Sequence, residues 1–375
     1  MKRIFTLLCL AAGFVVAEAQ ITAGFYHVRN KGTQRYMMMT DYTKGATEAG
    51  KEPDLTAVQS TRNEEIAFTH PGAVCYIAKV SGEKYDVMAQ NTSIGKLTGG
   101  KVYPVITQQS DGTYTIWGSY SGYELYIGDA ERAKYEDSYC KEVSAGNDRS
   151  YWEILPIDNT ATGQFIGIKP TVQTADGKYW GTILCGFEFT LHSEGMKAYI
   201  VDEVSDTEFQ LKQITSGKVP AHTPVVIECS SNDYSKNIIR PTSKDGSTMS
   251  GNKLGGVYYD RLDSYHTNAQ LYDETTMRVL GVNEKGFLAF RKATAEDMTV
   301  DKNNKWYLPH NKAYLGVSAT AADVLNEKNA AGIRNINTAE ETVKEGTYNL
   351  SGQRVADEPT RPGIYIRNGK KIIIK

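Results

Sequence analysis

The chain has 375 residues, of which 40% are hydrophobic, a length and composition typical of two or three globular domains. Its 42 Lys and Arg residues nearly balance 44 Asp and Glu residues, which argues against long disordered stretches. A pI near 6.3 without a basic stripe argues against a nucleic-acid-binding surface.

Residues 1–19 have the pattern of a secretory signal peptide. Lys2 and Arg3 form a positive start, Ile4–Ala17 is apolar, and Ala17-Glu18-Ala19 fits a small-x-small cleavage site. A membrane anchor is the alternative, but the stretch is shorter than the roughly 20 apolar residues that span a bilayer. No later run is long enough to span one either. We therefore expect an exported protein without a transmembrane span.

Residues 20–158 contain a pattern that recurs three times. Each unit opens on a glycine (Gly24, Gly72 or Gly112), continues with two short strands, and ends with another apolar strand. Such short units bury their apolar faces only by closing around a common axis. The order resembles a β-trefoil of the ricin type, and the resemblance implies a β-trefoil-like module. The Gln-x-Trp of that family's sugar sites is missing, so its sugar site is not transferred. The predicted closing strands are residues 66–68, 105–107 and 151–154.

Residues 159–318 are predicted to form a second all-β module, similar to a β-sandwich. Alternating apolar runs such as 197–201 and 223–227 are separated by turn residues, and no helical periodicity persists over ten residues. Three segments stand out, at residues 179–185, 220–226 and 308–315. They resemble a domain common in exported Bacteroidetes proteins, and that domain brings no known catalytic residues.

The end of the chain is predicted to be a linker, residues 319–343, with a short helical turn, followed by two β-hairpins in residues 344–375. Asn368-Gly369 is the strongest short hairpin signal, and Ser351-Gly352 marks the other turn. The segment resembles the C-terminal sorting domains of type IX secretion, which implies export machinery as a partner and a secreted or cell-surface location. It is shorter than a full sorting domain. The alternative is a terminal hairpin that completes a neighbouring sheet.

Cysteines and histidines give little indication of chemistry. Four cysteines follow the predicted signal peptide, and either disulfides or buried free thiols are compatible with this number. The six histidines lack the spacing of a compact zinc site. We therefore predict no catalytic residue, no metal and no cofactor. The four cysteines are Cys75, Cys140, Cys185 and Cys229.

One aromatic cluster is the candidate binding site. Residues 114–139 hold seven aromatic side chains, of which Tyr114 and either Tyr123 or Tyr126 are expected in the core. Flat aromatic faces stack on sugar rings, and a carboxylate beside them accepts hydroxyl hydrogens. The alternative is a Tyr-rich β surface that packs edge strands. The predicted glycan platform consists of Trp117, Tyr120, Tyr123 and Asp129.

The sequence as a whole favours an exported, non-catalytic, all-β binding protein, with a glycan as the favoured ligand. The first alternative is a structural or protein-binding surface component. The second is a glycan-active hydrolase with an unrecognised carboxylate pair. The ligand, the export route, the state of the cysteines and the oligomer are left open by the sequence.

Overall fold

The computed structural model has an almost entirely β architecture, with 49% strand and 7% helix, which confirms the all-β class. The chain forms two compact units, residues 1–326 and 327–375. The predicted signal peptide lies outside the described residues. The structure describes residues 21–39, 58–90, 92–93, 103–120, 123–130, 137–157, 163–258, 270–300, 304–328, 347–349, 354–355, 362–367 and 370–374.

The N-terminal part of the first unit, which we call the first module, is one antiparallel sheet of eleven strands in the described residues. One short helix and two 3-10 turns, Pro71–Ala73 and Asp148–Ser150, accompany it. The elements are β1 (Gly24–Asn30), β2 (Tyr36–Met39), β3 (Val58–Thr61), α1 (Glu64–Thr69), β4 (Cys75–Ser81), β5 (Lys84–Ala89), β6 (Thr92–Ser93), β7 (Val105–Gln108), β8 (Tyr114–Tyr120), β9 (Tyr123–Asp129), β10 (Asp137–Val143) and β11 (Tyr151–Pro156).

Six of these strands close into a ring. Each of β1, β4, β5, β7, β8 and β11 is hydrogen-bonded to the next, and β11 returns to β1. Strands β2, β3, β10 and β9 form a second connected path between β1 and β8. Trp152 is fully buried in the ring's core and donates its indole Nε1–H to the Ile127 carbonyl at 2.8 Å. Around it lie Val28, Cys75, Ile77, Val87, Ile116 and Ile127.

The first predicted closing strand, residues 66–68, is wrong, because these residues lie in helix α1. Asn63 caps the helix by accepting the Ile66 backbone N–H at 3.3 Å, and Glu64 and Glu65 occupy the first turn. Ala67 and Phe68 form its buried face. The other two closing strands, β7 and β11, are confirmed.

The three opening glycines occupy different local structures. Gly24 begins strand β1, Gly72 lies in a 3-10 turn, and Gly112 sits in a left-handed turn with φ 83°. The predicted equivalence of the three units is therefore not found at these positions. The β-trefoil detail stays a prediction.

The rest of the first unit, the second module, contains a ten-stranded and a four-stranded sheet among its described residues. Two 3-10 turns, Tyr234–Lys236 and Ala295–Asp297, lie between strands. The strands are β12 (Ile166–Gly167), β13 (Val172–Gln173), β14 (Tyr179–Ile183), β15 (Glu188–Leu191), β16 (Lys197–Val204), β17 (Glu208–Gln213), β18 (Lys218–Val219), β19 (Val225–Cys229), β20 (Ile238–Ser243), β21 (Leu254–Gly256), β22 (Met277–Val282), β23 (Leu288–Arg291), β24 (Thr299–Val300), β25 (Trp306–Tyr307), β26 (Ala313–Gly316) and β27 (Val324–Glu327).

The ten-stranded and four-stranded sheets of the second module share a core, as in a sandwich. Ile166 and Phe189 of the smaller sheet pack with Ile183 and Ile227 of the larger one. The other face of the larger sheet is buried as well, around Phe209, Leu315 and other apolar residues. All five residues of β19 are consequently buried.

Part of the predicted linker, residues 319–343, belongs to the second module. Strand β27 pairs with β23, and Leu325 is fully buried in the sheet's core. Residues 324–327 form a strand instead of a linker, because Val324 and Leu325 pair with β23 and Leu325 fills the core. Residues 329–343 lie outside the described residues.

The two modules of the first unit meet at a packed junction. Phe68 stacks on Phe165 with ring centroids 4.9 Å apart, and buried His27 contacts Gln164 through Nδ1 at 3.0 Å. Gln90 and Asn311 are hydrogen-bonded to each other, and both adopt left-handed backbone conformations, φ 47° and φ 54°. Non-glycine residues rarely adopt this conformation, so contacts across the junction hold it in place.

The second unit forms one four-stranded sheet in its described residues, in the order β29-β28-β30-β31. Arg367 pairs with Lys370, on either side of the predicted Asn368-Gly369 turn, which itself lies outside the described residues. The two predicted hairpins are confirmed, and pairing of β28 with β30 joins them. The strands are β28 (Thr347–Asn349), β29 (Arg354–Val355), β30 (Gly363–Arg367) and β31 (Lys370–Ile374).

Candidate functional site

The outer surface of the first module carries a row of apolar side chains, which we call the outer row. It crosses four strands, because Val105 pairs with Trp117, Trp117 with Tyr126, and Tyr126 with Val143. Directly paired residues project from the same face of a sheet. All four are half-buried. The row therefore presents a continuous, partly exposed apolar surface.

Strand alternation explains why the row faces outward. Ile106, Ile116 and Ile127 each neighbour a row residue along their strands, and all three are buried in the core of the ring. Since successive side chains point to opposite faces of a strand, the row lies on the outside.

The two rings at the centre of the row are held nearly parallel. The centroids of Trp117 and Tyr126 are 6.0 Å apart, and their planes differ by 28°. Trp117 donates its Nε1–H to Thr107 Oγ1 at 3.4 Å, and Tyr126 donates its hydroxyl to Glu124 at 2.9 Å. Burial, followed by the Glu124 hydrogen bond, raises the pKa of Tyr126. The phenol therefore stays neutral at physiological pH, and Glu124 supplies a carboxylate beside the rings.

Two more tyrosines lie at the ends of these strands. Tyr103 is 42% exposed and lies two residues before Val105, just ahead of β7. Tyr123 is 73% exposed, but it stands an odd number of residues from Tyr126 and so faces the opposite side of β9. Tyr123 therefore does not extend the outer row.

The structure does not bring the four predicted platform residues together. Trp117 is in the outer row, whereas Tyr123 projects from the other face of the hairpin. The backbone of Tyr120 pairs with Tyr123, and its side chain lies outside the described residues.

Asp129 does not border an exposed platform, because its side chain is fully buried. Its carboxylate accepts hydrogen bonds from Thr33 Oγ1 and from Ser60 Oγ, the latter at 3.2 Å. Arg35, 2% exposed, forms an ion pair with it at 3.5 Å. The residue closes a buried polar network between β9, β3 and the β1–β2 connection, and it has no route to an external ligand.

The sequence interpretation missed Val105, Val143, Glu124 and the outward position of Tyr126. We expected Tyr123 or Tyr126 in the core, and neither is fully buried. Alternation within a single strand does not reveal which face is the outer one. The signal was the pairing register, since Tyr120 opposite Tyr123 places Trp117 opposite Tyr126.

The cysteines give no indication of a metal or redox site. All four are buried and free. Burial raises the pKa of Cys75 to about 12 and of Cys229 to about 12, so both stay protonated thiols. Within the described ranges, no group of three His, Cys, Asp or Glu residues is arranged to hold a metal ion. In that same part of the chain, no helix has the length and apolarity to cross a bilayer.

Comparisons with known proteins leave the chain without an assigned family. No family model and no curated protein matches it. One similar solved structure is described as "Structure and mode of action of a mosquitocidal holotoxin", with 13% sequence identity and a TM-score of 0.28. The alignment covers 80% of this chain and 34% of that one, so this chain spans about a third of that protein's length.

Proposed function

We propose that this chain is an exported, non-catalytic protein that binds carbohydrate through the outer row of its first module. The observation that carries the proposal is the half-exposed Trp117–Tyr126 ring pair, whose planes lie within 28° of each other. The two stacked rings are half-buried, so part of their apolar surface stays open to a ligand, and the C–H face of a pyranose ring packs against aromatic surface of this kind. Export and a location at the cell surface rest on residues 1–19 and on the C-terminal resemblance.

The neighbouring polar groups suit a ligand rich in hydroxyls. Glu124 is exposed and accepts one hydrogen bond from Tyr126, so most of its acceptor capacity remains for ligand hydroxyls. Thr107 anchors the indole from the other side. An apolar, aromatic centre with a small number of polar groups beside it is the usual composition of a small-ligand site.

The experiment measures binding of the whole chain, without residues 1–19, to cellulose, chitin, starch and a glycan array. We expect Trp117→Ala and Tyr126→Ala each to weaken binding at least about tenfold, or 1.4 kcal/mol. The matched control is Tyr123→Ala, which removes a more exposed aromatic from the opposite face and should leave affinity within about twofold.

Two outcomes would overturn the proposal. One is unchanged affinity in both outer-row variants, which would place the glycan site elsewhere. The other is failure to bind any glycan together with a stoichiometric complex with a purified surface protein, lost on Trp117→Ala. That second result would support the protein-binding alternative.

A further inference from the structure

The second module contains an open groove that is separate from the outer row of the first module. Its volume is about 440 Å³, within the range of roughly 300–1,000 Å³ that is typical of small-ligand sites. It lies where the end of β16 and the following turn approach β22 and β26. The residues that line it are Val204, Ser205, Asp206, Thr276, Met277, Tyr314, Gly316, Val317 and Ser318.

One wall of the groove is an aromatic ring that the fold holds in place. Tyr314 pairs with Gly255 across β26 and β21. A Cβ at position 255 would lie 2.3 Å from the Tyr314 ring, so the ring rests directly on the glycine backbone. Tyr314 is half-buried and lines the groove. Its ring therefore has a fixed position before any ligand arrives, which reduces the entropy lost on binding.

Another wall is a carboxylate with spare hydrogen-bonding capacity. Asp206 accepts hydrogen bonds from Ser318 Oγ at 2.6 Å and from Thr320 Oγ1 at 2.8 Å. Each of its oxygens has two acceptor sites, so about half of the capacity is unused. The two hydroxyl hydrogen bonds lower the pKa of Asp206, which keeps it ionised. They also hold the carboxylate in one orientation at the groove.

The groove is open at Gly316. This residue is exposed in β26, opposite Met277, and a Cβ there would meet no atom within 4 Å. A side chain added at position 316 would therefore begin in open space at its Cβ. Because Gly316 lines the groove, the position is suited to substitutions that fill it.

We propose that this groove binds one or two residues of a neutral saccharide, as a second carbohydrate site on the chain. A sugar would use the Tyr314 ring for its C–H face and Asp206 for its hydroxyls. The described residues that line the groove include no Lys or Arg, which disfavours an anionic ligand. The choice of a sugar as the ligand rests on the proposed function, whereas the location of the site rests on the groove itself.

The test titrates maltose, cellobiose, chitobiose and mannobiose into the whole chain, with ligand-observed NMR and calorimetry as readouts. For any disaccharide that binds, we expect Gly316→Phe and Asp206→Ala each to weaken affinity at least tenfold. Gly316→Ala is the matched control and should stay within twofold. Unchanged thermal unfolding of the Gly316→Phe chain would show that the loss comes from filling the groove.

Trp117→Ala separates this inference from the proposed function. We expect it to leave disaccharide affinity within twofold while it weakens capture of polysaccharide. Disaccharide binding that is lost on Trp117→Ala and retained in both groove variants would overturn the groove site alone. Absence of binding to all four disaccharides would also overturn it, as would saturable binding of a lysine peptide that Asp206→Ala abolishes.

Discussion

The two modules of the first unit bury their sheets differently, and this difference determines where each can bind. In the first module the ring encloses its core on one face, and the outer row stays half-exposed on the other. In the second module the larger sheet is covered on both faces, and every residue of β19 is buried. Among the described residues, the first module therefore exposes an apolar sheet surface. In the described part of the second module, the groove lies where strand ends and turns meet.

The largest effect is expected from the buried polar network of the first module. Asp129→Ala leaves the buried Arg35 guanidinium without its carboxylate, and we expect a loss of about 3–5 kcal/mol in the free energy of unfolding. Chemical denaturation measures it. Glu124→Ala, on the same strand but exposed, should change stability by less than about 0.5 kcal/mol. Equal effects would mean that the two carboxylates do not differ in burial.

Neighbouring substitutions test whether one or both faces of a strand are buried. In β8 we expect Ile116→Ala to cost about 2–5 kcal/mol and Trp117→Ala clearly less, because only Ile116 lies in the core. In β19 we expect Val226→Ala and Ile227→Ala both to destabilise strongly, by about 1.5–3 and 2–5 kcal/mol. Urea unfolding of the four variants measures this. A mild effect at either β19 position would contradict the two-sided core.

We expect the stability of the junction between the two modules to depend on pH. Burial lowers the pKa of His27 to about 4, whereas the unfolded chain binds the proton near 6.5. The unfolded state therefore carries the extra proton between these values, and stability falls as pH drops from 6.5 to 4. The expected loss is about 3 kcal/mol. Urea unfolding at several pH values should show it, and His27→Asn should remove this part of the pH dependence. If the stability of the His27→Asn variant fell with pH as steeply as that of the unsubstituted chain, His27 would not be a neutral buried imidazole.

We expect thiol reagents to modify the native chain least, because both modules bury their cysteines. The native chain without residues 1–19 should not react with iodoacetamide at pH 8, whereas the unfolded chain should gain 4 adducts by mass spectrometry. Reaction of a native thiol would show local opening. Fewer adducts in the unfolded chain, restored by a reductant, would show a disulfide.

Features fixed by nearby residues could be predicted from the sequence. The Val-Val-Ile run lies in strand β19, and β30 and β31 pair on either side of Asn368-Gly369, as the local composition predicts. Helix α1 also had a local signal, since Asn63 followed by Glu64 and Glu65 is typical of a helix N-terminus. The apolar character of residues 66–68 led us to predict a strand instead.

Features fixed by distant residues could not be predicted. Arg35 lies 94 positions from Asp129, so nothing beside Asp129 in the chain indicates that it is buried. The assignment of residues 324–327 to a strand depends on pairing with β23, because two apolar residues followed by Asn326 and Glu327 are too short a signal by themselves. The outer row likewise exists only in the pairing register of four strands.

The pairing of β1 with β11 also sets a limit on when the ring can close. Tyr26 aligns with Pro156, so the first strand of the ring completes its pairing only when the last strand is present. Contacts this far apart in sequence slow folding, because a long loop must be ordered before they form. During synthesis, residues 24–30 therefore cannot pair with β11 until residue 156 has emerged from the ribosome. The topology thus delays closure of the first module until nearly all of that module has been made.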